Sequence, residues 1–82
     1  MRLYTDKVFY RSVSKHLRLL GFTSSAPWQK NVVASYRLRG TVICVRGGNT
    51  IQVIRHGTVT THERCDVISA LRIIDEARAE RS

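Results

Sequence analysis

The segment "VVASYRLRGTVICVRGGNTIQVIRHGTVT", residues 32–60, constrains the fold of this chain more than any other stretch. Apolar and polar residues alternate along it and β-branched residues are frequent, which is typical of β-strands. Gly40, the pair Gly47-Gly48 and Gly57 interrupt the alternation, and glycine favours tight turns. The segment therefore predicts strands over residues 32–39, 41–46 and 50–56, and a short strand over 58–60.

The Gly47-Gly48 pair predicts a two-residue hairpin turn, and the turn decides which residues share a face of the sheet. A turn of that length places Cys44 opposite Ile51. If both helices cover the face of that pair, the other face carries four apolar side chains, those of Tyr36, Ile43, Val45 and Ile54. A half-apolar open face favours a partner, or a homodimer through the sheet face. A slip of one residue in the register would exchange the two faces.

Two helices are predicted to flank the strands. The first covers residues 6–20, with Thr5 or Asp6 as its N-cap and Gly21 just beyond its C-terminus. The second covers residues 61–79, because "TTHE" matches the capping-box pattern. The inward faces are Phe9, Val13, Leu17 and Leu20 in the first helix, and Val67, Ala70, Leu71, Ile74 and Ala77 in the second.

The order of these elements predicts an α+β fold in one domain over residues 1–82, α-β-β-β(-β)-α, with both helices packed on one face of a small antiparallel sheet. No apolar run approaches the length of a signal peptide or a membrane span, so a cytoplasmic protein without membrane contact is expected. Cys44 and Cys65 are too few for a disulfide framework, and we expect reduced, buried thiols.

The positive charge of the chain is concentrated before the last helix. The net charge is +8, with ten cations and one acid before Glu63 and four cations against five acids from Glu63 onward. On the first helix Lys7, Arg11, Lys15 and Arg18 form a stripe opposite the apolar face. Such a field attracts phosphate or an acidic protein surface, and arginine suits bidentate contacts with either anion.

Side chains that could carry chemistry are sparse. His56, His62 and Cys65 raise the question of a metal site, but zinc normally takes three or four ligands and no second Cys/His pair stands at zinc-finger spacing. Gly47-Gly48 is not followed by a P-loop pattern. The sequence therefore predicts no catalytic residue, no metal site, no cofactor and no enzyme activity.

The chain resembles two known kinds of protein, one in the order of its elements and the other in a short stretch of sequence. The order helix, three strands, helix resembles that of double-stranded RNA-binding domains over about Thr5 to Ala79, although this chain has "HERCDVIS" where those domains carry a lysine cluster. The stretch "RHGTVTTHERCDVISALRII" is similar to the strand-then-helix end of toxin ribonucleases of the HicA kind. The catalytic strand of those ribonucleases carries the residues Gly-Ser-His. It corresponds here to "NTIQVIRH", in which only His56 could take the place of the catalytic histidine. The first resemblance implies RNA binding, and the second implies a ribonuclease.

The leading expectation is a small basic module that binds the phosphate backbone of a nucleic acid, DNA or RNA, with little sequence specificity. Its candidate site consists of the cations on the first helix and the strands: Lys7, Arg11, Lys15, Arg18, Arg37, Arg39, Arg46 and Arg55. The alternative is a protein-interaction module, or a small inhibitor of the phage or mobile-element type, that docks on an acidic or nucleic-acid-handling protein. A relative of the HicA-like ribonuclease toxins is the third hypothesis.

Overall fold

A computed structural model describes residues 7–25 and 32–79. Within these residues the elements are α1 (Lys7–Leu19), β1 (Thr23–Ser25), β2 (Val32–Leu38), β3 (Thr41–Arg46), β4 (Thr50–Arg55), β5 (Thr58–His62) and α2 (Val67–Ala79). The strands form one antiparallel sheet in the order β1-β2-β3-β4-β5. The predicted α+β class, with two helices packed on an antiparallel sheet, is confirmed.

Strand β1 lies in a segment from which the sequence predicted no strand. Its residues are Thr-Ser-Ser, and it pairs with β2 so that Ser24 lies opposite Tyr36. The Thr23 hydroxyl also donates to the carbonyl oxygen of Arg37 at 3.3 Å. Because serine has no particular preference for strands, the pairing with β2 and not the local sequence makes this element.

Helix α1 ends as the sequence predicted, at a glycine in the left-handed region. Gly21 has φ 99°. The amide of Phe22 donates to the carbonyl of Leu17 at 3.0 Å, and the amide of Gly21 donates to the carbonyl of Arg18 at 3.1 Å. These two bonds form a Schellman motif, and Phe22 and Leu17 are both buried in the core beside it. The predicted N-cap, Thr5 or Asp6, lies outside the described residues.

The predicted start of the second helix is wrong. Thr60 belongs to β5, where it pairs with Val53, and β5 continues to His62 instead of ending at residue 60. The N-cap is Asp66: its carboxylate accepts the amide of Ser69 at 2.7 Å, and its carbonyl accepts the amide of Ala70 at 3.0 Å. The pairing of Thr60 with β4 therefore overrides the capping-box pattern "TTHE". As a result, α2 begins at Val67.

The predicted hairpin register is also wrong by one residue. Residues 47–49 form a three-residue connection in which Asn49 has φ 56°, so Arg46 pairs with Thr50 and Cys44 pairs with Gln52. The shift exchanges the faces of β2 and β3 relative to β4, whose Ile51 and Val53 lie on the helix side as predicted. Three of the four side chains predicted for the open face, Tyr36, Ile43 and Val45, are instead at most 1% exposed in the core beneath the helices.

The core fills the space between the helices and one face of the sheet. Its buried members are Phe9, Val13, Leu17, Phe22, Ala34, Tyr36, Ile43, Val45, Ile51, Val53, Cys65, Ala70, Ile74 and Ala77. The opposite face, called the open face below, carries a cross-strand row of Arg37, Val42, Ile54 and Val59. Among the described helices, each of 13 residues, neither has the length and apolarity to cross a bilayer.

The two helices run parallel to each other. His16 of α1 contacts Asp75 of α2 at 2.6 Å, and the guanidinium of Arg78 donates to the carbonyl of Leu20 at 3.2 Å, so both chains advance in the same direction. Both helix C-termini therefore lie at the end of the sheet that carries the β2–β3 and β4–β5 turns. This end is called the turn end below.

Candidate nucleic-acid interface

The outer face of α1 carries four cations and no acid. Lys7, Arg11, Lys15 and Arg18 are all exposed, and the helix sequence KVFYRSVSKHLRL contains neither Asp nor Glu. At a rise of 1.5 Å per residue the four side chains form a row about 16 Å long, called the basic row below. Among the described residues, no acidic side chain forms an ion pair with any of the four. The row thus leaves its charge available to a partner.

The amphipathic sequence of α1 gives the basic row its orientation. Phe9, Val13 and Leu17 recur at helical spacing and are at most 2% exposed, so the cations between them must point outward. The Ser14 hydroxyl lies 2.6 Å from the Tyr36 hydroxyl in β2, which fixes the rotation of the helix on the sheet. The basic row is therefore held on a rigid element and not on a loop.

A shallow depression lies beside the basic row, with a volume of about 460 Å³. It is lined by Tyr10, Arg11, Ser14, Lys15, Arg18 and Leu19. A hydrogen bond to Tyr36 raises the pKa of the Tyr10 phenol, and partial burial raises it further. Tyr10 therefore stays protonated at neutral pH and can donate a hydrogen bond. Tyr10 and Ser14 were not among the predicted site residues. The signal for them is that they stand four residues apart at the boundary between the apolar and basic faces of α1.

Further cations lie at the turn end, where α1 also ends. Arg18 is in the last turn of α1. Arg37 is exposed on the open face near the end of β2, and Arg39 is exposed in the β2–β3 turn, where its φ is 56°. Arg55 is the last residue of β4, on the helix-side face, and it is half-buried. Because the helices are parallel, cations from three elements collect around one end of the molecule.

Arg46 lies away from this group. It is at the far end of β3, on the open face, and its guanidinium donates to the side-chain carbonyl of Gln52 at 3.3 Å. The Gln52 amide in turn donates to the Thr61 hydroxyl at 3.2 Å. The eight predicted cations are thus spread over the α1 face, the turn end and the far end of the open face.

The acids of α2 point away from the basic row or are engaged between the helices. Asp75 contacts His16, and Arg78 contacts the last turn of α1. Asp66 caps the helix, and its pKa is lowered because the amide and the hydroxyl of Ser69 bond to the carboxylate. These contacts hold α2 in place and leave the field of α1 positive.

The three residues that raised the question of a metal site do not share one. The Cys65 thiol donates to the carbonyl of His62 at 3.3 Å, and burial together with the Asp66 carboxylate raises the pKa of this thiol. A metal requires the thiolate, which this environment disfavours. Within residues 7–25 and 32–79, no three His, Cys, Asp or Glu side chains are arranged to hold a metal ion. Cys44 and Cys65 are both free and buried, as expected.

Comparison of the chain with protein-family models, with curated proteins and with solved structures finds no significant match.

Proposed function

We propose that this chain is a small cytosolic, non-enzymatic module that binds the phosphate backbone of DNA or RNA with little sequence specificity. The observation that carries the proposal is the basic row, four exposed cations on one helix with no acid among them. Backbone contacts fix where a protein lies on a nucleic acid but do not read its sequence.

The dimensions of the basic row support phosphate binding. One strand of a duplex carries a charge about every 3.4 Å of helix axis. A row about 16 Å long therefore extends over the axial rise of about five nucleotides. Beyond Arg18, the turn end carries two more exposed cations, Arg39 in the β2–β3 turn and Arg37 on the open face. The interface we propose comprises the basic row and these two arginines, and Arg46 lies outside it.

The test compares two charge-matched double variants. Arg11→Gln with Lys15→Gln removes two charges from the basic row. Arg64→Gln with Arg72→Gln removes two exposed charges outside it, so the net charge of the two variants is the same. Binding of a fluorescent oligonucleotide at low salt is measured by anisotropy for both.

We expect the basic-row variant to lose about tenfold or more in affinity and the control variant to lose about threefold or less. Equal losses would mean that binding follows the net charge alone, and the assignment to α1 would then be wrong. A cleavage assay on the same oligonucleotide should leave it intact.

The open face favours a second candidate function, protein interaction. Its row of Val42, Ile54 and Val59 is only partly covered, and Val59 is 54% exposed. Arg37 stands at the end of this row, which suits a partner with an apolar centre and an acidic rim. A second copy of the chain is the partner that can be tested directly. Sedimentation velocity should then show a dimer for the wild type and a monomer for Val59→Asp.

A further inference from the structure

A groove with its own set of polar side chains lies between α2 and the last two strands. Its volume is about 530 Å³. Three apolar side chains, Val53, Ile73 and Ala77, line it. The polar side chains in it are Arg55, His56, Thr58, Thr60, His62 and Glu76. No role proposed above uses this groove.

The groove exists because the inner face of β5 is uncovered, with Thr58 and Thr60 both exposed. Asp75 and Arg78 contact α1, so one side of α2 is turned toward α1. Ile73, Glu76 and Ala77 project from the opposite side of α2, at helical spacing, toward β5. Strand β5 therefore has no helix above it, and its inner face forms the floor of the groove.

The register of β4 and β5 sets the order of side chains along the groove. Arg55 pairs with Thr58, Val53 with Thr60, and Ile51 with His62. Successive pairs on one face are about 7 Å apart, so Arg55 and His62 lie about 14 Å apart along the strands. One end of the groove thus carries Arg55, His56 and the Thr58 hydroxyl, and its middle carries Val53 and the Thr60 hydroxyl.

We propose that this groove binds a nucleotide with a terminal phosphate. The phosphate binds at the turn end, where Arg55, His56 and Thr58 line the groove. The base lies against Ile73 and the other apolar side chains in the middle. The Glu76 carboxylate can accept hydrogen bonds from the ribose hydroxyls. A volume of about 530 Å³ is within the range of pockets for small ligands.

The experiment is a titration of the folded protein with AMP, followed by NMR on backbone amides. We expect AMP to shift the amides of the groove and to bind about tenfold more tightly than adenosine or inorganic phosphate, because it alone occupies both ends. His56→Gln and Glu76→Gln should weaken AMP binding several-fold. Arg72→Gln, on the exposed surface of α2 outside the groove, should not change it.

Two further titrations separate this site from the basic row and identify the source of the nucleotide. The variant Arg11→Gln with Lys15→Gln should bind AMP as the wild type does, so failure of the α1 interface would leave the groove untouched. If AMP shifts no groove amides, or binds no better than phosphate, the nucleotide site is refuted. An oligonucleotide with a 5′-phosphate that shifts the same amides, where its unphosphorylated form does not, would indicate a strand end as the ligand. Shifts by AMP alone would indicate the free nucleotide.

Discussion

The imidazole of His16 lies 2.6 Å from the carboxylate of Asp75, although 59 positions separate the two residues in the sequence. With the bond from Arg78 to Leu20, this contact holds α1 and α2 side by side and parallel. It pairs Asp75 with a side chain of α1, and it turns the far side of α2 toward the groove. The two surfaces proposed for binding thus both depend on how the helices pack.

The first prediction concerns the strength of this contact. A double-mutant cycle with His16→Ala and Asp75→Ala should give a coupling free energy of about 0.5 kcal/mol at neutral pH and low salt. The value is small because the Asp75 side chain is 56% exposed and water screens the pair. Urea unfolding of the four proteins measures it. A coupling of zero would mean that the apolar core alone sets the helix arrangement.

The second prediction concerns the N-cap of α2. Asp66→Ala should lower the Tm by about 3–8 °C at pH 7, because the amide of Ser69 loses its acceptor. Asp66→Asn retains an acceptor and should melt close to the wild type. Thr60→Ala serves as the control, because Thr60 belongs to the capping-box pattern that does not form. This variant should leave the start of α2 unchanged. A larger effect of Thr60→Ala than of Asp66→Ala would contradict the N-cap at Asp66.

The third prediction is the pH dependence of the same cap. The pKa of Asp66 is lowered in the folded protein because the carboxylate accepts the Ser69 bonds. The stabilisation is therefore complete above the ordinary value of 3.8 and is lost as the pH falls through the lowered folded-state pKa. The Tm difference between the wild type and Asp66→Ala should shrink in that acidic window. Asp66→Asn should show no such loss, and a pH-independent difference would refute the mechanism.

The sequence predicted elements well where glycine and periodicity act locally, and it failed where distant pairing decides. Strand β3 has the predicted bounds, and Gly21 ends α1 as predicted. The hairpin register was missed because Asn49 adopts the left-handed conformation and lengthens the turn by one residue. The start of α2 was missed because Thr60 pairs with Val53, a partner outside its own local pattern.

The same distinction between local patterns and distant contacts applies to the candidate site. The basic row follows from the 3.6-residue period of one helix, so the sequence predicts its orientation. The turn end and the groove depend on the parallel packing of α1 and α2, which arises from side chains such as His16 and Asp75 far apart in the chain. A local pattern cannot indicate that packing.

The fourth prediction separates stability from binding at one turn residue. Arg39 has φ 56°, which is unfavourable for a residue with a Cβ atom. Arg39→Gly should stabilise the fold by about 0.5–1 kcal/mol, because glycine tolerates this conformation, and should weaken oligonucleotide binding. Arg39→Ala should weaken binding to the same extent without the stabilisation. Unchanged binding in both variants would remove Arg39 from the interface.

The most direct test of the central claim is the salt dependence of oligonucleotide binding. Each phosphate contact releases counterions, so log K falls with log salt at a slope proportional to the number of contacts. We predict that replacing Arg11, Lys15 and Arg18 together with glutamine reduces the magnitude of that slope by about 2–3, with unchanged melting behaviour. A slope equal to that of the wild type would contradict binding of the phosphate backbone by α1.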